Sequence, residues 1–89
     1  MQQIHIGNLI RDELRRQGHT NAWLAEQVGI TPRHLQKIFN KSSLDTHLLF
    51  NISRTLGTDL FKVYSDVLSS HVQYGHVATL DTLRMKKTL

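Results

Sequence analysis

The chain contains no cysteine, one proline and one tryptophan, and 7% of its 89 residues are aromatic. Without thiols it forms no disulfide and offers no thiolate nucleophile or thiolate metal ligand, which fits a reducing compartment. No apolar run approaches the ~20 residues that cross a bilayer as a helix. The opening MQQIHIG also lacks the basic and apolar regions of a signal peptide. The expected location is therefore the cytoplasm, away from membranes. Signatures of chemistry are equally scarce. The six histidines show neither H-x-x-x-H nor H-E-x-x-H spacing, and the serines lack a G-x-S-x-G setting. Asp12, Glu13, Asp45, Asp59 and Asp66 read as helix-surface or capping acids. No enzyme activity, metal site or cofactor is expected.

What is present is a short, basic chain with strong helix punctuation. Its length allows one compact domain and an arm, with a core modest enough that a dimer interface adds useful burial. The net charge is +4, and it is unevenly spread. Residues 1–41 carry six Lys/Arg against three Asp/Glu, residues 42–68 two against three, and residues 69–89 three against one. The positive excess lies in the first half and in the tail, which favours an anionic partner.

Five helices are legible. The first is predicted over Gly7–Gln17, with Ile6, Ile10 and Leu14 at steps of four and Leu9 widening the stripe. Gly18 stops it. The second is predicted over Asn21–Val28 and the third over Pro32–Phe39, with Asn40 as its end. Asp45 is the expected cap of a fourth helix, whose buried face is Leu48, Leu49, Ile52 and Leu56 and whose stop is Gly57. Asp59 is the expected cap of a fifth, containing Leu60, Phe61, Val63, Tyr64, Val67 and Leu68. Beyond Ser70 the pattern weakens, with a short helix conceivable around Val77, Leu80 and Leu83. The expected class is all-α. Residues 1–69 form the domain, and residues 70–89 a C-terminal extension that is a candidate dimerisation arm.

Residues 20–39, TNAWLAEQVGITPRHLQKIF, carry the strongest functional signal. Two short helices flank a sharp turn at Gly29. Thr20 opens the first, and Thr31 opens the second with Pro32 at its first helical position. Leu24, Ala25, Val28, Ile30, Leu35 and Ile38 are the apolar set, and Ala25 is small enough for two helices to cross closely. A unit of this shape places its second helix in the DNA major groove. Trp23 reads as a packing or partly exposed residue rather than a stacking platform for bases.

Several segments together resemble the lambda-repressor-like, Cro/C1 (XRE) helix-turn-helix family. They are I-G-x-x-I at 6–10, TNAWLAEQVGIT at 20–31, the Leu35/Ile38 pair and SLDTHLLFNISRTLGTDLFKVY at 43–64. The resemblance spans Ile6 to Leu68 and implies a compact five-helix domain that binds double-stranded DNA. It places the exposed face of the third helix against base edges. Arg33 and Lys37 then contact guanine or phosphate, His34 stands beside them, and Gln36 lies nearer the rim. Pro32 packs on a thymine methyl or a sugar. Thr20 and Asn21 face phosphate at the start of the second helix, Thr31 joins them at the start of the third, and Asn40 and Lys41 reach the backbone from the loop. Arg11, Arg15 and Arg16 read as a solvated basic face that attracts DNA without close contact.

Two departures from the family pattern stand out. Leu14 and Phe39 occupy positions where many members carry a partly buried Arg–Glu pair, and NKSSL replaces a longer, often basic connection. The expected function is sequence-specific regulation of transcription as a homodimer. The alternative is a protein-interaction module or antitoxin-like partner, since a fold alone does not fix a function.

Overall fold

In the computed structural model the described residues are 3–71. They form five helices and no strand: α1 (Ile6–Arg16), α2 (Asn21–Val28), α3 (Pro32–Phe39), α4 (Thr46–Leu56) and α5 (Lys62–Ser69). The expected helical extension around residues 77–83 lies outside the described residues. Side-chain caps set four of the starts, that of α1 through His5. Thr20, Thr31 and Asp45 accept from the backbone N–H groups of Trp23, His34 and Leu48 at 3.0, 3.1 and 2.8 Å. The turn after α2 needs the left-handed backbone that Gly29 adopts at φ 78°, and it closes with the Ile30 N–H on the Ala25 carbonyl at 2.9 Å. The same closure ends α1 at Gly18 and α4 at Gly57.

Three boundaries differ from the sequence expectation, one of them the end of α1 at Arg16 rather than Gln17. Helix α1 begins at Ile6 because its first amides find distant acceptors. Ile6 donates to the Ser42 carbonyl at 3.1 Å and Gly7 to that of Lys41 at 2.9 Å, while the His5 ring accepts from Asn8. Asp59 does not cap a helix. It accepts from the Phe61 N–H at 3.1 Å and sets a turn, and α5 starts only at Lys62, with no side-chain cap. That turn drives Leu60 into the core.

The core draws on every element before α5. Ile6, Ile10 and Leu14 from α1, Leu24 and Ala25 from α2, and Leu35, Ile38 and Phe39 from α3 form one cluster with Leu49, Ile52, Leu56 and Leu60. Leu14 and Phe39 both belong to it. Apolar groups at these positions avoid the desolvation cost of a buried ion pair. On α4 the buried face is Leu49, Ile52, Ser53 and Leu56, so Ser53 takes the buried place expected of Leu48, which is half-buried.

Two junctions orient α1. At its start, Gly7 lies against the end of α3. A methyl group built there would overlap the carbonyls of Ile38 and Phe39, so the helices approach at a distance only glycine permits. At its end, Glu13 corrects the expectation of a surface acid. Its carboxylate accepts from Arg16 Nε and Nη2 at 2.8 and 2.6 Å, from Gln17 Nε2 at 2.7 Å and from Thr58 Oγ1 at 2.7 Å. Gln17 also donates to the Leu56 carbonyl at 2.7 Å. The network fastens the end of α1 to the turn after α4. The Arg16 hydrogen bonds, then those of Thr58 and Gln17, hold the Glu13 carboxyl well below the usual carboxylate range.

Replacing Gly7 by Ala is expected to destabilise the domain by about 1–3 kcal/mol through overpacking. Urea unfolding measures it, and unchanged stability would show a looser α1–α3 approach. Glu13 binds its proton more weakly in the folded chain than in the unfolded one. Its stabilisation is therefore complete above the ordinary value of 4.5 and is lost as pH falls towards the lower folded value. Glu13→Gln is expected to lower the thermal midpoint at neutral pH and to flatten its decline in acid. A variant as acid-sensitive as the parent contradicts this.

Candidate nucleic-acid interface

Helices α2 and α3 with the turn at Gly29 form the helix-turn-helix, and the core holds one side of it. Leu24 and Ala25 of α2 and Leu35, Ile38 and Phe39 of α3 are buried, while Val28, Ile30 and Trp23 pack partly against them. With about 100° of rotation per residue, burying Leu35, Ile38 and Phe39 turns Arg33, Lys37 and Asn40 to the opposite side. His34 and Gln36 flank that row. All five are exposed, as are Thr31, Pro32 and Lys41.

The electrostatics of this face are simple. Residues 31–41 contain Arg33, Lys37 and Lys41 and no acidic residue. Among the described residues the ion pairs are Arg11–Asp12, Arg16–Glu13 and Lys62–Asp66, so none engages these three cations. No side-chain hydrogen bond holds Arg33, His34, Gln36, Lys37, Asn40 or Lys41. The face is convex. Surface hollows of about 270, 330 and 340 Å³ lie instead among residues of α1, α4, α5 and the loops beside them.

Thr20 and Asn21 are exposed at the start of α2, with the Thr20 hydroxyl oxygen engaged by the Trp23 N–H. They stand at the other end of the helix-turn-helix from Asn40 and Lys41. The three arginines of α1, read together from sequence, separate in the structure. Arg16 is committed to Glu13, and Arg11 is half-buried, its Nε 3.8 Å from Asp12. Arg15 is exposed and free of ion pairs among the described residues.

Sequence reasoning missed one feature beside this surface. The His19 ring stacks on Trp23 with centroids 3.7 Å apart and planes 12° from parallel. Two aromatic rings four residues apart across a helix start were the available signal. Trp23 itself is half-buried against the core, in keeping with its expected packing role. Far from α3, Arg54 lies over the exposed Phe50 ring at 5.8 Å on the outer side of α4.

Among the described residues no helix is long and apolar enough to cross a membrane, and no group of three or more His, Cys, Asp or Glu side chains is placed to hold a metal. No curated protein and no solved structure matches the chain. A family model described as helix-turn-helix matches residues 10–63, which include all of α2, α3 and α4. The order of the helices, the turn at Gly29 and this match agree, and the chain belongs to the Cro/C1-type (XRE) helix-turn-helix family, a family of DNA-binding regulatory domains.

Proposed function

We propose that the protein is a sequence-specific double-stranded DNA-binding regulator of transcription. The observation that carries this reading is the α3 face, where cations and amides stand exposed, free of internal partners and without a neighbouring acid in the segment. A rigid helix presenting such groups suits the major groove, whose base edges offer acceptors to Arg and both donors and acceptors to Gln and Asn. Arg33 is assigned to a guanine edge, with His34 beside it and Gln36 at the rim. Lys37 is assigned to guanine or phosphate. Thr20, Asn21, Thr31, Asn40 and Lys41 are assigned to the phosphate backbone, where they set position rather than sequence. Pro32, which has no N–H, packs on a sugar or a thymine methyl.

A single short helix reads few base pairs, and two-fold pairing doubles the site. Helix α5 supports this extension. None of its residues is fully buried, Leu68 is 61% exposed, and Phe61 and Tyr64 line a shallow hollow with Leu44 and Leu49. We assign the homodimer interface to this side of the domain. Residues 70–89 are proposed as an arm that joins it, although positions 72–89 lie outside the described residues.

Two measurements test the reading. In titrations at fixed salt, Arg33→Ala is expected to weaken a selected duplex more than a scrambled one, with a loss of discrimination of about 1–3 kcal/mol. Lys37→Ala weakens both and lowers the salt dependence if it holds phosphate. Unchanged affinity in both variants removes α3 from the reading surface. Sedimentation at micromolar concentration is expected to show a dimer whose two α3 helices span about 34–36 Å on DNA. A monomer both free and on a single site rejects the pairing. A stable heteromeric complex that occludes Arg33 and Lys37 would favour a protein-interaction module instead.

A further inference from the structure

The corner between α1 and α2 holds an aromatic pair that the fold alone does not require. Trp23 is anchored, since its indole is half-buried against the core. His19 is exposed, yet its ring lies nearly parallel on the indole, 3.7 Å away. Its backbone is fixed as well. The His19 N–H donates to the Leu14 carbonyl at 3.2 Å, and the next residue, Thr20, is tied to the Trp23 N–H at 3.0 Å. The imidazole is therefore oriented before any partner arrives, and the entropy cost of ordering it is already met in the free protein. Its ring nitrogens have no hydrogen-bond partner among the described residues. Either protonation state leaves at least one ring N–H to donate, and the charged form gains from lying on an indole face.

The charges around the pair point the same way. Arg15, in the last turn of α1, is exposed and free of ion pairs among the described residues, and the Gly18 N–H donates to its carbonyl at 3.0 Å. Glu13, on the preceding helix, is occupied by Arg16, Gln17 and Thr58. Glu26 stands three residues after Trp23 on α2, exposed and outside the ion pairs found among the described residues. A held donor and an uncommitted guanidinium together favour an anion.

We infer that His19, laid on Trp23, donates a hydrogen bond to a DNA phosphate, with Arg15 supplying charge beside it. The inference rests on the DNA-binding reading and deepens it by adding a contact outside α3. Trp23 acts as a positioning residue: it orients the imidazole and does not itself touch DNA. A phosphate contact contributes affinity without reading sequence, so its signature differs from that of Arg33.

The test uses the full chain and fluorescence anisotropy with a selected and a scrambled duplex over a range of salt. His19→Ala is expected to weaken both duplexes by a similar factor of about three to ten, with the thermal midpoint unchanged. His19→Arg is expected to restore binding. Trp23→Phe keeps a ring under the imidazole and is expected to bind within about twofold of the parent, whereas Trp23→Leu is expected to lose what His19→Ala loses. If His19→Ala binds normally while Arg33→Ala is impaired, the inference is overturned and the DNA reading stands. Loss confined to the selected duplex also overturns it, since His19 would then be reading bases. A fall in thermal midpoint that accounts for the lost binding does so as well. A parent chain that binds neither duplex overturns both readings.

Discussion

Everything that presents α3 depends on how closely α1 meets its far end. An eight-residue helix is too short to persist in water by itself, so its direction must come from its neighbours. The start of α1 supplies that direction with backbone groups. Two of its first amides, which a lone helix leaves to solvent, close on carbonyls of the segment that leaves α3. The missing side chain at Gly7 lets the two backbones meet. One set of bonds thus caps one helix and fixes the exit of another. The short NKSSL connection fits this arrangement, because its carbonyls are occupied in joining helices.

Local chemistry made most of this fold legible in the sequence. The Thr20, Thr31 and Asp45 caps and the three stop glycines are short-range devices, and each appears where its residue type expects it. The exposed row of α3 was readable for the same reason, since helical periodicity separates Arg33 and Lys37 from Leu35 and Ile38. What escaped was long-range. Gly7 looked like an ordinary helix-start residue because its neighbours, Ile38 and Phe39, are more than thirty positions away. Glu13 looked solvated because its partner Thr58 lies 45 residues on. Asp59 was misread because an acid before an apolar run marks a turn as readily as a cap, and only the burial of Leu60 decides between them.

The basic residues divide into two uses that composition does not distinguish. Arg16 and Lys62 are paired within their own helices, at 2.6 and 3.0 Å from their acids. Such pairs leave little field at a distance. The cations of residues 31–41 have no such neighbour and project their field outward. Among the described residues the long-range attraction for an anion therefore comes from fewer charges than the total suggests, with Arg33, Lys37 and Lys41 grouped along one segment and Arg15 and Arg54 unpaired elsewhere.

Helix α5 has neither a side-chain cap nor a fully buried residue, and the last firm anchor before it is Leu60. Val63 and Tyr64 pack partly on the core, but peeling the helix away removes no fully buried side chain from it. Its amide protons are therefore expected to exchange with solvent faster than those of the helices with fully buried residues. A molecule covering α5 would slow that exchange, and the side chains that seat α3, Leu35, Ile38 and Phe39, lie in a buried cluster to which α5 contributes no fully buried residue.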